Sequence, residues 1–404
     1  MRVAIVHDWL TGRRGGETVL EQLLEVWPDA DLFSVVDFYP DGDRPGIRGK
    51  HATTTFVQRL PFASKRYRAY LPIMPFAIEQ LELRGYDLVL SSSHAVAKGV
   101  LTAPGQVHVS YVHTPIRYAW DLREDYLREA GMARGLRGWI ARAVLHYIRH
   151  WDRSSAVGVD HIVANSDFVR RRIARCWGRD AQVIHPPVDV EGFSLRRDKD
   201  DFYLVAGSMA PYKKVPMLVE AFTAMPDRRL VVIGDGPDLA RARAAGGPNV
   251  TFLGHQPFEV LRDHLQRCRA FVFGALEDFG IMPLEAQACG TPVIAFGAGG
   301  ALETVIPIGS VAPTGLFFDQ QTVASVIGAV EAFERERGTF DPDACRANAL
   351  RFAAPVFRRR IAEAVAAAIA AHRAESAPRP DPGPHERDGT WLPASRDAAV
   401  EIAG

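Results

Sequence analysis

The sequence predicts an α/β protein built on two doubly wound parallel sheets, one in each half of its 404 residues. Short, continuously apolar runs recur along both halves, as strands buried on both faces of a parallel sheet do. Each run opens into a polar or glycine-bearing loop and then a stretch with helical periodicity, the alternation that winds a sheet on both sides. Between the halves, His185-Pro186-Pro187 and the polar residues 196–201 read as a stiff, extended connection.

In chain order, Val3 to Val6 is the first strand. Asp8 to Gly16 is its loop, and Glu17 to Val26 is a helix with Leu20, Leu23 and Leu24 on one face. The Gly15-Gly16 pair supports either a phosphate-receiving loop or a tight connection, and the spacing is not that of a dinucleotide fingerprint. Leu32 to Val36 is the next strand. Asp87 to His94 and His108 to Pro115 both read as a strand entering a polar loop, where ligands of parallel sheets bind. His113 closes the second of these strands and is a candidate site residue beside the structural role that a lone His more often has. Arg117 could anchor the same loop through an ion pair.

Met132, Leu136, Ile140, Ala143, Val144, Tyr147 and Trp151 recur at helical spacing, with Arg134, Arg137, Arg142 and Arg149 elsewhere around the helix. Such a stripe faces a core more often than an anionic membrane surface. Arg170, Arg171, Arg172 and Arg175 read as a solvated helix face, after a strand-to-helix junction capped by Ser166 or Asp167.

The second series opens at Phe202 to Gly207 and continues through Leu230 to Ile233, Val250 to Gly254, Ala270 to Phe273 and Val293 to Phe296. Lys213, just past the first of these strands, could place a compact charge on a departing diphosphate. Phe357, Ile361, Val365 and Ile369 mark a last helix, and the Pro-rich polar residues from Glu375 onward predict disorder.

Lys and Arg number 48, as do Asp and Glu, so net charge does not point to nucleic acid. Four widely spaced cysteines without CxxC spacing read as thiols in a reducing cytoplasm. The chain opens directly on a strand and contains no long apolar run. A cytoplasmic protein without a signal peptide or membrane span is therefore expected.

The stretch that organises this reading is Glu277-Asp278-Phe279-Gly280-Ile281-Met282-Pro283-Leu284-Glu285. It follows a buried strand, turns at Gly280, and begins a helix (Leu284 to Cys289) with Pro283 in its first turn. Amides of Gly280, Ile281 and Met282 at a helix N-terminus would seat a phosphate. An ionised Glu on either side, Glu277 and Glu285, accepts hydrogen bonds from sugar hydroxyls.

This stretch, followed by Ala-x-Ala-x-Gly-Thr-Pro-Val-Ile-Ala, closely resembles the signature of retaining glycosyltransferases of family 4, which have the GT-B fold. His113-Thr114-Pro115 with Arg117-Tyr118 and Trp120 resembles a block of GDP-mannose-dependent mannosyltransferases in bacterial polysaccharide synthesis. The resemblance implies two Rossmann-like domains facing a cleft. Residues 1–188 would form the acceptor-side domain and 189–352 the nucleotide-sugar domain. Residues 353–373 would be a helix crossing back to the first domain, and 374–404 a disordered tail.

The resemblance further implies that Glu277 lies against the donor sugar and Glu285 on the ribose. His113 and Lys213 join Glu277 in catalysis; Gly15, Gly16, Ser208, His255, Phe279, Gly280 and Ile281 join in donor binding. The family usually carries an Arg where this chain has Ser208, so Lys213 acts alone or with Lys214 or an Arg of the first domain. The implied reaction is retaining hexosyl transfer from a nucleotide sugar, GDP-mannose by resemblance, to a glycan or lipid-linked acceptor, with no essential metal. Contact with an anionic membrane at its inner face is a further expectation. A nucleotide-sugar 2-epimerase of the same fold and a non-catalytic sugar-nucleotide binder are the alternatives.

Overall fold

The computed structural model describes residues 1–129 and 131–376; of the tail expected to be disordered, residues 374–376 instead end a helix, and the rest lies outside the described residues. Strands β1 (Val3–His7), β2 (Asp31–Ser34), β3 (Thr53–Thr54), β4 (Leu88–Ser93), β5 (Val107–Val112), β6 (His161–Ala164) and β7 (Gln182–Val183) form the first sheet. Their order is β3-β2-β1-β4-β5-β6-β7, with parallel pairings. Strands β8 (Tyr203–Ala206), β9 (Leu230–Ile233), β10 (Val250–Gly254), β11 (Ala270–Phe273), β12 (Val293–Phe296) and β13 (Gly315–Phe318) form the second. Their order is β10-β9-β8-β11-β12-β13, again parallel. Both sheets reverse direction of growth beside their first strand. The crevice at such a reversal is where open α/β sheets receive ligands.

Each sheet has a core on both faces, which is why its strands are apolar throughout rather than alternating. The helix Ala354–Ser376 returns to the first lobe. Phe357, Ile361, Ala364 and Val365 are buried there against Leu20, Leu90 and Tyr111. The chain thus passes between lobes twice, and Val188 N–H donates to Phe352 O (2.9 Å) where the two passages lie side by side.

The carboxyl edges of the sheets face one another, and several contacts join them. Glu303 accepts from the amides of Asp167 and Phe168 (2.8 and 3.0 Å), at the N-terminus of the helix Asp167–Trp177, and meets His185 Nε2 at 3.0 Å. A carboxylate there satisfies amides that the helix leaves unpaired. Asp278 pairs with Arg172 (2.5 Å) and Arg117 (3.4 Å). A Cβ at Gly15 would lie 3.1 Å from Ile281 Cδ1, so glycine lets the lobes touch.

Some expected elements are corrected. The first glycine pair opens the helix Gly15–Val26 instead of preceding it, and the Glu277–Glu285 motif feeds a helix Ile281–Ala288 that starts before Leu284. Arg172 is not a solvated residue: it is ion-paired with Asp278 and Asp121 and donates to Thr114. The apolar stripe of the helix Gly135–Ser155 is not one face. Leu145, Ile148 and Trp151 are buried, whereas Leu136 (78% exposed), Ile140 (57%) and Trp139 (76%) face outward. Trp151 is held by Glu79 (2.7 Å), while the buried Lys98–Asp152 pair (2.7 Å) anchors the same helix from beneath.

Phe357 tests the return helix. Phe357→Ala removes a ring packed edge-on to Tyr111 (5.6 Å between centroids). It should cost the first lobe about 3–5 kcal/mol, read as a lower melting temperature with unchanged helix content.

Candidate active site between the lobes

The helix Ile281–Ala288 is anchored at one end and open at the other. Its last carbonyls are capped by cations: Arg346 donates to Ala288 O (2.7 Å) and Lys199 to Cys289 O (3.0 Å). Positive charge at this end complements the helix dipole. Gln287 donates to Pro283 O and Thr304 O, and Asn348 donates to Gln287, which fixes the helix in the second core. The start is different. Gly280 stands at φ 93°, a conformation that favours glycine, and among the described residues the amides of Gly280, Ile281 and Met282 donate to no protein acceptor. Ile281 of this end touches Gly15 of the other lobe, so the expected anion seat faces the cleft.

The loop before the helix is shaped by close backbone packing. Gly300 N–H donates to Glu277 O (2.9 Å), and a Cβ at Gly299 or Gly300 would collide with Glu277 or Phe279 main chain. The glycine loop 297–300 therefore serves packing. The Phe279 ring is buried (4% exposed) and stacks on His185 (centroids 5.4 Å), so a donor contact at this position would have to come from main chain.

Glu277 and Lys213 meet directly as an ion pair. They follow β11 and β8, neighbours in the sheet, and lie at its topological reversal. Lys213 ends a short 3-10 turn, Pro211–Lys213, and Lys214 adopts φ 57° to start the next helix. Gly207, at φ 122°, lies where a Cβ would be 3.1 Å from Met282 Sδ, bringing the β8 loop onto the first turn of Ile281–Ala288. Ser208 is exposed in that loop, and His255 is exposed past β10 on the same edge. Burial, aided by the charge of Asp189 and opposed by Lys213, raises the Glu285 carboxyl to about 7.

Across the cleft, His113 follows β5. Its Nε2 is 2.9 Å from Ser92 Oγ, which also meets His7 Nδ1 at 3.1 Å. Burial, reinforced by His94 and His7, lowers His113 to about 3, so it is a neutral imidazole at physiological pH. Gly16 lies beside this cluster: a Cβ there would meet His7 at 3.6 Å and His113 Nε2 at 3.8 Å, ordinary contact distances.

Asp8 was read only as the start of a loop. Its carboxylate accepts from four successive amides, His94 to Ala97 (2.5–2.9 Å), and from His94 Nδ1 at 2.9 Å. Burial opposes its ionisation, but His94 and these donors hold it well below the usual carboxylate range. Nothing in local spacing announced this contact, which spans two strands; the only signal was an Asp at a strand's carboxyl end.

Among the described residues, no helix is long and apolar enough to cross a membrane.

The comparisons with known proteins bear on this arrangement. Residues 13–191 match the family "Glycosyltransferase Family 4" and residues 190–351 match "Glycosyl transferases group 1". A Corynebacterium glutamicum GDP-mannose-dependent monoacylated alpha-(1-6)-phosphatidylinositol monomannoside mannosyltransferase is 32% identical over 186 residues, covering 38% of this chain and 49% of that protein. An O-antigen chain mannosyltransferase of Salmonella typhimurium is 26% identical over 159 residues, covering 37% and 45%. The chain thus spans about half the length of these curated relatives. Among solved structures, sucrose-phosphate synthase of Thermosynechococcus elongatus superposes with a TM-score of 0.70 at 18% identity over 92% of this chain and 100% of that one. Anabaena HepE in complex with UDP gives 0.66 at 16% identity over 91% and 100%. At such identities these two show the fold alone. With both lobes matched in order and the twin parallel sheets shared, the chain belongs to the family 4 glycosyltransferases and has the GT-B fold.

Proposed function

We propose that the protein is a retaining hexosyltransferase that takes mannose from GDP-mannose and delivers it to a hydroxyl of a glycan or lipid-linked acceptor. The observation that carries this reading is the Lys213–Glu277 ion pair beside the open helix end, opposite Gly15 and Gly16. The mannose assignment rests on the named activities of both sequence relatives, and the guanine assignment on the GDP-mannose dependence named for the Corynebacterium glutamicum one.

In this reading the donor diphosphate lies on the amides at the start of Ile281–Ala288. Lys213 exchanges its carboxylate partner for the phosphates, and Glu277, released, accepts from sugar hydroxyls. Glu285 accepts from the ribose. The bond from the anomeric carbon to phosphate oxygen breaks, the acceptor oxygen bonds to that carbon on the same face, and its proton passes to the departing phosphate. Fixed cationic and N–H groups at the leaving oxygen stabilise charge that develops only in the transition state. His113, neutral and tied to Ser92, lines the acceptor side. His255 and the main chain of Phe279, Gly280 and Ile281 complete the donor side. Ser208 brings no cation, so Lys213 bears the diphosphate charge in the β8 loop. Residues 1–188, 189–352 and 353–373 act as acceptor lobe, donor lobe and return helix.

The outward face of Gly135–Ser155 supports peripheral contact with an anionic membrane. Leu136, Trp139 and Ile140 are exposed large apolar residues, and Arg134 and Arg137 beside them are exposed. An amphipathic surface of this composition binds acidic headgroups and inserts its apolar residues at the interface.

These assignments make three predictions. With labelled GDP-mannose, UDP-glucose and a lipid-linked acceptor, transfer from GDP-mannose is expected; release of an isomerised sugar nucleotide, or binding without turnover, would sink the transferase reading. Glu277→Gln and Lys213→Ala should each lower kcat by about 10²–10³ while the circular dichroism spectrum stays that of the parent.

The second concerns pH. The folded chain keeps a proton on Glu285 up to about 7, whereas an unfolded Glu releases it near 4.5. This favourable linkage is fully present below 4.5 and is lost as pH rises through 7. Glu285→Gln should therefore match the parent's melting temperature near pH 4.5 and exceed it at pH 8, by up to about 3 kcal/mol of stability. In the parent, donor affinity should rise from pH 6 to 8, and the variant should be flat.

For the membrane face, the parent should float with liposomes rich in phosphatidylserine and sediment with neutral ones. Trp139→Ala/Ile140→Ala should lose the flotation; equal flotation of both proteins rejects this surface.

A further inference from the structure

Three cavities of the first lobe converge on the same two side chains, Arg14 and Arg68. One is a groove of about 700 Å3 with largely apolar walls, among them Trp9, Leu71, Met74, Leu127 and Val144. The second is a recess of about 210 Å3 that reaches Gly16, His94 and His113. The third, about 280 Å3, adds Thr11, Lys65 and Tyr67. We propose that this junction is an acceptor site for an anionic amphiphile, with a phosphate-bearing headgroup between Arg14 and Arg68 and its hydrocarbon chain in the apolar groove. The assignment of this ligand as the acceptor rests on the transferase reading above; its binding does not.

The polar end has the right charge. Among the described residues, neither Arg14 nor Lys65 forms an ion pair with a carboxylate, and Arg68 lies over the Tyr67 ring (5.5 Å). Tyr67 is itself positioned by Trp9 (centroids 5.4 Å) and by Thr11 Oγ1 (3.4 Å), so the cations are presented from a packed base. Of two carboxylates nearby, Asp8 is consumed by His94 and four amides. Glu17 lines the recess and accepts from the Arg14 amide (3.0 Å), where Arg14 and Arg68 outnumber it. Arg forks and an ammonium at one spot fit a phosphate better than a neutral sugar.

The other end has the right polarity and the right outlet. Protein interiors close-pack, so an apolar groove of this size that its own side chains leave open suits an apolar ligand. Its far wall is the inner face of Gly135–Ser155, through Ala141, Val144 and Leu145, and the outer face of that helix carries Trp139 and Ile140 into solvent. At the cleft, the groove is bordered by Tyr212, whose ring lies 5.7 Å from Lys213 Nζ. The headgroup pocket and the proposed transfer centre are therefore contiguous: His94 and His113 ring centroids are 6.1 Å apart.

The test is calorimetric titration of the full chain with dodecyl phosphate, dodecyl maltoside and inorganic phosphate, each below its micellar concentration. Dodecyl phosphate should bind at least tenfold more tightly than either of the others. Ala141→Trp, which fills the groove, should weaken it at least tenfold. Lys65→Ala/Arg68→Ala, at two exposed positions, should bring dodecyl phosphate down to the affinity of the maltoside. Equal affinity for charged and neutral amphiphiles, inorganic phosphate binding as well as dodecyl phosphate, or variants that bind like the parent would each overturn the proposal. GDP titrated into the same samples reports separately on the donor lobe. Its failure to bind would count against the transferase reading, while the dodecyl phosphate result would still decide this site.

Discussion

Asp278 stands between Glu277 and Phe279, and it belongs to the other lobe as much as to its own. Its carboxylate is held by Arg172 and Arg117, which leave the first sheet on different elements, and the three side chains are largely sheltered from solvent. An ion pair of this kind contributes little net stability, because desolvation offsets the Coulomb gain, yet breaking it leaves an uncompensated charge. Its consequence is geometric. The loop that carries Glu277 cannot shift without moving the opposite lobe, so the chemistry of one sheet is referenced to the other. Glu303 repeats the device at a second point, where a carboxylate from the second lobe caps a helix of the first.

Within that frame the two sheets divide the electrostatics. The second lobe presents donors: an uncapped helix start and Lys213. The first lobe presents a neutral His113 and, in the same cluster of rings, a His94 that the buried Asp8 carboxylate shifts toward its protonated form. Burial dominates the titration of His113, whereas for His94 the adjacent carboxylate outweighs it. Neighbouring imidazoles are thus shifted in opposite directions because only His94 touches Asp8. In the second lobe, Lys213 and Glu277 likewise hold one another's charge.

The helix Gly135–Ser155 shows how one periodicity supports two surfaces. Leu145, Ile148 and Trp151 bury one side, while Leu136, Ile140, Ala143 and Tyr147 repeat on the other. A periodic count merges them, since Val144 and Trp151 sit at the boundary of both. The solvent side could be separated from the core side only once Glu79 and Lys98 had fixed the rotation of the helix.

Local chemistry was readable directly. Apolar runs marked the strands, Gly280 and Pro283 marked a turn into a helix, and Glu277 and Glu285 could be placed at a strand end and on that helix. Those features depend on neighbours a few residues away, which the sequence lists in order. Strand order does not. That β8 lies against β11, bringing Lys213 to Glu277, and β1 against β4, bringing Asp8 to His94, follows from crossovers that skip intervening strands. The partners of Asp278 and Glu303 likewise lie in the opposite lobe. Such contacts are decided by how two finished sheets pack, a long-range balance of burial and charge that no local pattern encodes.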